Sequence, residues 1–439
     1  MPVTPSAKAL LPLALFLTLF IGVGSYLTFQ GVDFAFYQLP APVAALPAII
    51  VAILLSKEKL NKAIEQFVRG VGHSDIIAMC IIYLLAGAFA AVAKATGGVD
   101  ATVNLGLSLL PPNLILPGMF LIAAFIATAM GTSMGTIAAL APVALGIADT
   151  AGIDHAIAAG AVLSGAMFGD NLSIISDTTI AATRSQGCEM KDKFKENVAI
   201  ALPAAIVSLV LFTLLSTPSE VPATIEIEWL KVAPYLTILV LAVSGLNVFA
   251  VLTVGILLAG AVGLFNSEQY SLTQYGQDIY AGFGNMQEIF LLSMFIGGLS
   301  SLMKYQGGLA WITQSLSKLL NSSSRKSGEF GIALLVSLVN SCTANNTVAI
   351  LVSGSIAKDL AEKHDICAKR AASLLDIFSC VIQGVLPYGA QVLLAGSILK
   401  LSPLEVTMHS YYCFALAAAA LLAIIFKSTK GRETSTAVA

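Results

Sequence analysis

Apolar positions in this chain do not alternate with polar ones. They run together for the length of a membrane-crossing helix and then stop at short polar segments. Leu10 to Phe29 is such a run, about 20 residues and roughly 30 Å as helix, enough to cross the hydrocarbon core once. Ala41 to Leu55 is the next. A membrane barrel would present short segments alternating with period two, so uniformly apolar runs predict helices. The pattern predicts ten crossings, near residues 9–29, 41–56, 75–93, 155–183, 197–216, 231–246, 248–265, 288–303, 366–399 and 408–427. Two further apolar stretches, Leu114 to Ala148 and Gly328 to Leu360, are each interrupted in the middle by small and polar residues. They predict re-entrant hairpins, with tips at Gly131 to Thr136 and Cys342 to Thr347. The fold class is therefore an all-α polytopic membrane protein, with about ten transmembrane helices plus two re-entrant hairpins.

The order of these elements occurs twice. At a shift of about 210 residues, the run from Lys94 to Gly98 aligns with Lys304 to Gly308, and Leu109-Leu110 with Leu319-Leu320. Identity is sparse, but the succession of helix, connector, hairpin and broken helix corresponds throughout. Five crossings per copy is an odd number, so the second copy would be inverted, a recurrent plan of secondary transporters. This divides the chain into a first repeat (1–216), an external acidic linker (217–230), a second repeat (231–427) and a tail (428–439).

Composition and charge agree. The chain is 57% apolar and 11% charged, against about 25% charged residues in soluble domains. Lys and Arg gather at Lys57 to Arg69, at Arg184 to Lys195 and at Lys427 to Arg432, whereas Ser216 to Trp229 and Asn266 to Gln287 carry acids alone. Cytoplasmic loops hold the excess of positive charge, so the basic groups predict a cytoplasmic side and two cytoplasmic termini. The first run is too long for a signal-peptide core and is followed directly by another, so it is expected to be retained. Six scattered cysteines suggest no disulfide framework, and no basic, aromatic-interleaved stretch suggests nucleic acid.

Candidate chemistry lies where polar residues interrupt apolar runs. Gly169 to Thr179 contains Asp170, Asn171, Ser173, Ser176, Asp177, Thr178 and Thr179. An ionisable group at bilayer depth is expensive and by default marks a substrate or ion pathway. Asp170 and Asp177 are seven residues apart, on one face if the helix continues. Carboxylates, hydroxyls and freed carbonyls suit a dehydrated Na⁺, and Gly169 is the expected point of unwinding. Asp177 could instead be a solvated cap near Arg184. Gly131 and Gly135 by themselves favour close helix packing, but Thr132, Ser133 and Thr136 beside them suggest a lining. Asn345, Asn346 and Thr347 occupy the corresponding place in the second copy, where unpaired buried amides would cost several kcal/mol. Gln383 to Gly389 interrupts a second helix at Pro387, and Gln391 follows. Asp376 reads equally as a pathway carboxylate or as the partner of Arg370. Asp75 and Glu288 read as helix-start residues, and His73, His155, His364 and His409 as helix-end residues.

The Gly169 to Thr179 run, preceded by Gly131 to Thr136, resembles the signature of the NhaC-type sodium/proton antiporter family, which lies in a superfamily of hairpin-containing inverted repeats. The chain departs from that pattern at Asn171, where many members have a basic residue, and at Ile174-Ile175, where they have Pro. The resemblance implies Na⁺-coupled transport in a bacterial inner membrane, with the motif residues as site. A Na⁺ would be held by Asp170, Ser173, Asp177 and Ser133, with no cofactor beyond the coupling ion. Two functions fit: Na⁺/H⁺ antiport by alternating access, and Na⁺-coupled symport of a small amino or organic acid using Asn345, Asn346, Gln383 and Gln391. A homodimer in the lipid bilayer is a further expectation. An intramembrane aspartyl protease would need glycine where Met167 stands, and nothing resembles a channel's selectivity ring.

Overall fold

A computed structural model describes residues 4–32, 35–109, 111–174, 176–216, 227–266, 270–319 and 324–426. Much of the predicted linker, with Glu220 and Glu226, lies outside the described residues, as do Glu268, Leu110, Leu320 and the predicted tail with Lys430 and Arg432. Among the described residues the chain is helical, without strands. Among the described residues, eight helical spans are long and apolar enough to cross a membrane: Ala7–Leu27, Ser74–Ala95, Ser133–Ala151, His155–Gln186, Met190–Leu215, Val248–Asn266, Gln287–Tyr305 and Ala368–Leu399. Ala41–Leu54, Ile115–Met130, Trp229–Val243 and Tyr411–Phe426 are apolar but shorter. Of the eight, Ser133–Ala151 overlaps the stretch from Leu114 to Ala148 expected to be the first hairpin and runs three residues beyond it.

The helices that build the site are α1 (Ser74–Ala95), α2 (Ile115–Met130), α3 (Ser133–Ala151), α4 (His155–Leu172), α5 (Asp177–Gln186), α6 (Met190–Leu215), α7 (Arg325–Thr343), α8 (Asn346–Lys363), α9 (Ala368–Val385) and α10 (Ala390–Leu399). The break between α2 and α3 and that between α7 and α8 share one local design. Gly131 and Ala344 take the left-handed conformation, φ 70° and 50°, and end the preceding helix. Thr132 and Asn345 then cap the next one, Thr132 Oγ1 accepting from Gly135 N and Asn345 Oδ1 from Val348 N. The starts of α3 and α8, residues 133 and 346, and those of α4 and α9, residues 155 and 368, have the same offset.

Small residues let α4 lie against α2 at backbone distance. A Cβ on Gly165 would stand 2.2 Å from Phe120 O, and one on Gly169 2.5 Å from Ala124 O. Gly169 therefore does not unwind the helix. α4 continues to Leu172, Ser173 and Ser176 each have extended backbone, and Ser176 caps α5 by accepting from Thr179 N. The hydroxyl-rich run opens the helix because its side chains bond the backbone in place of helical partners: Thr179 Oγ1 donates to Ser173 O at 2.7 Å and Ser173 Oγ to Thr128 O at 2.9 Å. In the second broken helix, α9 ends at Val385, and Pro387 supplies no donor. Tyr388 Oη donates to Ser341 O at 2.6 Å and fixes that break against α7.

α6 divides into an exposed face and a buried one. Leu202, Ile206, Val210 and Leu214, each four residues apart, are exposed, while Asn197, Ile200, Ala201, Ala204, Ser208 and Phe212 are buried. Lys193 continues the buried stripe, whereas its neighbours Lys191 and Lys195 are exposed.

Candidate ion-binding site

The helix breaks meet around a cavity of about 140 Å³. Its polar lining comes from five places: Asp75 in the first turn of α1, Thr132 and Ser133 at the start of α3, Asp170 near the end of α4 with Asp177 and Thr178 at the start of α5, Asn345, Asn346 and Thr347 at the start of α8, and Gln383 and Gln391 flanking the α9–α10 break. Asp170 is 7% exposed, burial that makes its charge costly unless it is partnered. Ser133 Oγ donates to Asp170 Oδ2 at 2.8 Å and accepts from Gln391 Nε2 at 3.1 Å. Gln383 Nε2 donates to Gln391 Oε1 at 2.8 Å and to Ala344 O at 3.2 Å. One chain of hydrogen bonds thus runs from the α7–α8 break through α9, α10 and α3 to the carboxylate on α4.

Asp177 is exposed and begins α5, where the helix dipole favours an acid, and it faces the same cavity as Asp170. Asp75 lines this cavity too. From the sequence Asp75 is expected only to start a helix, and it does so as the acid in the first turn of α1. Its position relative to Asp177 depends on the tertiary approach of α1, which a linear pattern does not carry.

Several expected residues stand behind the lining. Thr136 donates to Thr132 O at 3.0 Å, and Gly135 is packed so closely that a Cβ would meet Val248. Ser173 and Ser176 hold the α4–α5 break. Asn171 and Asp376 lie in a separate buried cluster, Asn171 Nδ2 donating to Asp376 Oδ2 at 3.3 Å.

Asp376 is not neutralised by Arg370. Arg370 Nε and Nη2 donate to Glu329 Oε2 at 3.0 and 2.8 Å, forming a buried pair between α9 and α7. The partner of Asp376 is Lys193, whose Nζ stands 2.7 Å from Oδ2, with side chains 1% and 0% exposed. Asn197 Nδ2 donates to the same oxygen at 2.7 Å. In the sequence Lys193 sits in a basic stretch and reads as a loop cation. Its four-residue spacing from Asn197, in register with the buried face of α6, was the signal that both point inward.

The arrangement offers a cation three carboxylates in one cavity, the buried Asp170 and the more exposed Asp177 and Asp75, with hydroxyl and amide oxygens beside them. That donor set fits a hard monovalent ion, because such ions take oxygen ligands. Comparison with known proteins places the chain. The model of the Na⁺/H⁺ antiporter family matches residues 3–217 and 213–428. The chain belongs to the Na⁺/H⁺ antiporter family. Within it, the chain is 24% identical to the Na⁺/H⁺ antiporter NhaC of Alkalihalophilus pseudofirmus, over 76% of this chain and 78% of that one. It is 23% identical to the arginine/ornithine antiporter ArcD of Halobacterium salinarum, over 92% and 87%. It is 25% identical to the malate-2H⁺/Na⁺-lactate antiporter of Bacillus subtilis, over 64% and 62%. Members of this antiporter family are multi-pass membrane transporters, and the apolar helices described above accord with that.

Proposed function

We propose that the protein is a Na⁺/H⁺ antiporter in which Asp170 and Asp177 are occupied alternately by Na⁺ and protons. The observation that carries this reading is the shared cavity, which brings both carboxylates to one small chamber with Ser133 bonded to Asp170. Asp75, Thr132, Thr178, Asn345, Asn346, Thr347, Gln383 and Gln391 complete its polar wall. Ser173, Ser176, Thr136 and Asn171 act from behind that wall by holding the breaks open. A Na⁺ held there would take oxygens from Asp170, Asp177 and Ser133, with Ser173 fixing the α4–α5 break rather than reaching the ion.

The repeated order of elements supports an inverted five-plus-five plan of about ten crossings, divided near residues 217–230, with the α2–α3 and α7–α8 breaks as re-entrant tips. Irregular backbone at membrane depth is tolerated only where it lines a cavity or is buried in protein, which matches the position of both tips. The expected setting is a bacterial inner membrane with both termini cytoplasmic. A homodimer is part of the same proposal.

Two of the relatives carry amino or organic acids by name, and the amides of Asn345, Asn346, Gln383 and Gln391 would suit such a solute in a Na⁺-coupled symporter. Cavity size favours the ion. The chamber holds about 140 Å³, below the ~300–1,000 Å³ usual for small-molecule pockets. Reconstituted protein should take up radiosodium when a pH gradient alone is imposed across the vesicle. Uptake that requires an added amino or organic acid would reject antiport in favour of symport.

A further inference from the structure

Lys193 sits in surroundings built like a cation site. Its Nζ donates to Asp376 Oδ2 at 2.7 Å, to Thr179 Oγ1 at 2.8 Å and to Asn171 O at 3.1 Å. A lysine ammonium has three donors, and these three oxygens account for all of them. They are a carboxylate, a hydroxyl from the first turn of α5, and one of the last carbonyls of α4, which lack helical partners by position. The list has the same chemistry as the set around Asp170, and both lie at the same broken helix.

The pocket also has oxygen to spare. Asp376 Oδ1 and Asn197 Oδ1 are both buried and have no hydrogen-bond partner. Asp376 is fully buried, and Asn197 Nδ2 is already engaged by Asp376 Oδ2, Asn171 O and Asn171 Oδ1. An unpartnered buried acceptor ordinarily costs free energy, more so when it belongs to a charged group. Here two such acceptors belong to side chains that are bonded to each other beside a fixed positive charge. A structural ion pair needs neither atom left over. A site able to coordinate a small spherical cation would have both.

We infer that the Lys193 ammonium is a resident cation occupying a second monovalent-cation place at Asp376, next to the exchangeable place at Asp170. The inference rests on the reading of Asp170 as a Na⁺ site. Its consequence is that Lys193 sets how many ions the chain carries. While the ammonium is present, Asp376 is neutralised from within and one Na⁺ binds. Without it, Asp376, Thr179 Oγ1 and Asn171 O become available to a second Na⁺. Lys193 would then be a specificity-determining residue for stoichiometry, acting through charge and occupancy and not by touching the transported ion.

The test is the number of Na⁺ bound per chain, measured by equilibrium dialysis with radiosodium on purified full-length protein: wild type, Lys193→Ala, and Lys193→Ala combined with Asp376→Asn. The expected result is one Na⁺ for wild type, two for the single variant and one for the double variant. A single variant that is folded and binds one Na⁺ overturns the inference. If Lys193→Ala is not recovered folded without Na⁺, purification in Na⁺ should restore it, while choline at equal ionic strength should not. Recovery that is no better in Na⁺ than in choline also overturns the inference. Absence of Na⁺ binding in wild type would instead reject the reading of Asp170 itself, and so separates the two failures.

Discussion

Ser133 donates a 2.8 Å hydrogen bond to Asp170, and so joins the helix start after one break to the carboxylate before another. Because Ser133 Oγ also accepts from Gln391 Nε2, the carboxylate's orientation depends on a residue at the far end of the chain. A hydrogen bond to a charged group contributes about 1.5–3 kcal/mol, and each 1.4 kcal/mol is roughly tenfold in affinity. Ser133→Ala should therefore raise the half-saturating Na⁺ concentration about tenfold or more by that scale. Ser133→Thr, which keeps the hydroxyl, should recover most of the loss. Radiosodium uptake at graded Na⁺ concentrations checks both.

Asp376→Asn leaves the Lys193 ammonium buried without its counter-charge. Removing one partner of a buried ion pair typically costs about 3–5 kcal/mol. The thermal unfolding midpoint of the purified variant should fall clearly below wild type. Combining it with Lys193→Met should recover much of the drop, because the orphaned charge goes as well. A single variant as stable as wild type would mean that the pair contributes nothing to the fold.

Gly169 packs against the backbone of α2, where an added Cβ would lie 2.5 Å from Ala124 O and 2.6 Å from Thr128 N. Backbone atoms cannot yield as a flexible side chain would. Gly169→Val should cost about 1–3 kcal/mol by overpacking, read as a lower unfolding midpoint and a displaced Asp170. Gly276 is the contrast: it lies within Leu272–Asn285 with nothing within 4 Å of its added Cβ. Gly276→Ala should be neutral or stabilising by up to about 1 kcal/mol through helix propensity.

Much of this site was legible because polar residues inside apolar runs are conspicuous. Asp170, Ser133, Asn345 and Gln383 stood out for that reason, and the helix breaks at Gly131 and Ala344 with them. What escaped was information carried by helix faces and by tertiary approach. Lys193 was hidden among exposed lysines, and only its register with Asn197 distinguishes it. Arg370 lies six residues from Asp376, closer in sequence than Lys193, yet Glu329 on a neighbouring helix holds it. Gly169 was read as an unwinding point because glycine permits unusual backbone; its use here is contact, and the hydroxyls of Ser173, Ser176 and Thr179 open the helix instead. The part of Asp75 in the cavity wall follows from how α1 packs, which no local pattern encodes.

In the proposed exchange Asp170 carries the cation. Asp170→Asn keeps the size of the side chain and can still bond Ser133, but it removes the charge that would hold Na⁺. Radiosodium uptake driven by a pH gradient into vesicles containing this variant should fall to the level of empty vesicles, with expression and unfolding midpoint near wild type. Uptake at the wild-type rate would contradict the account.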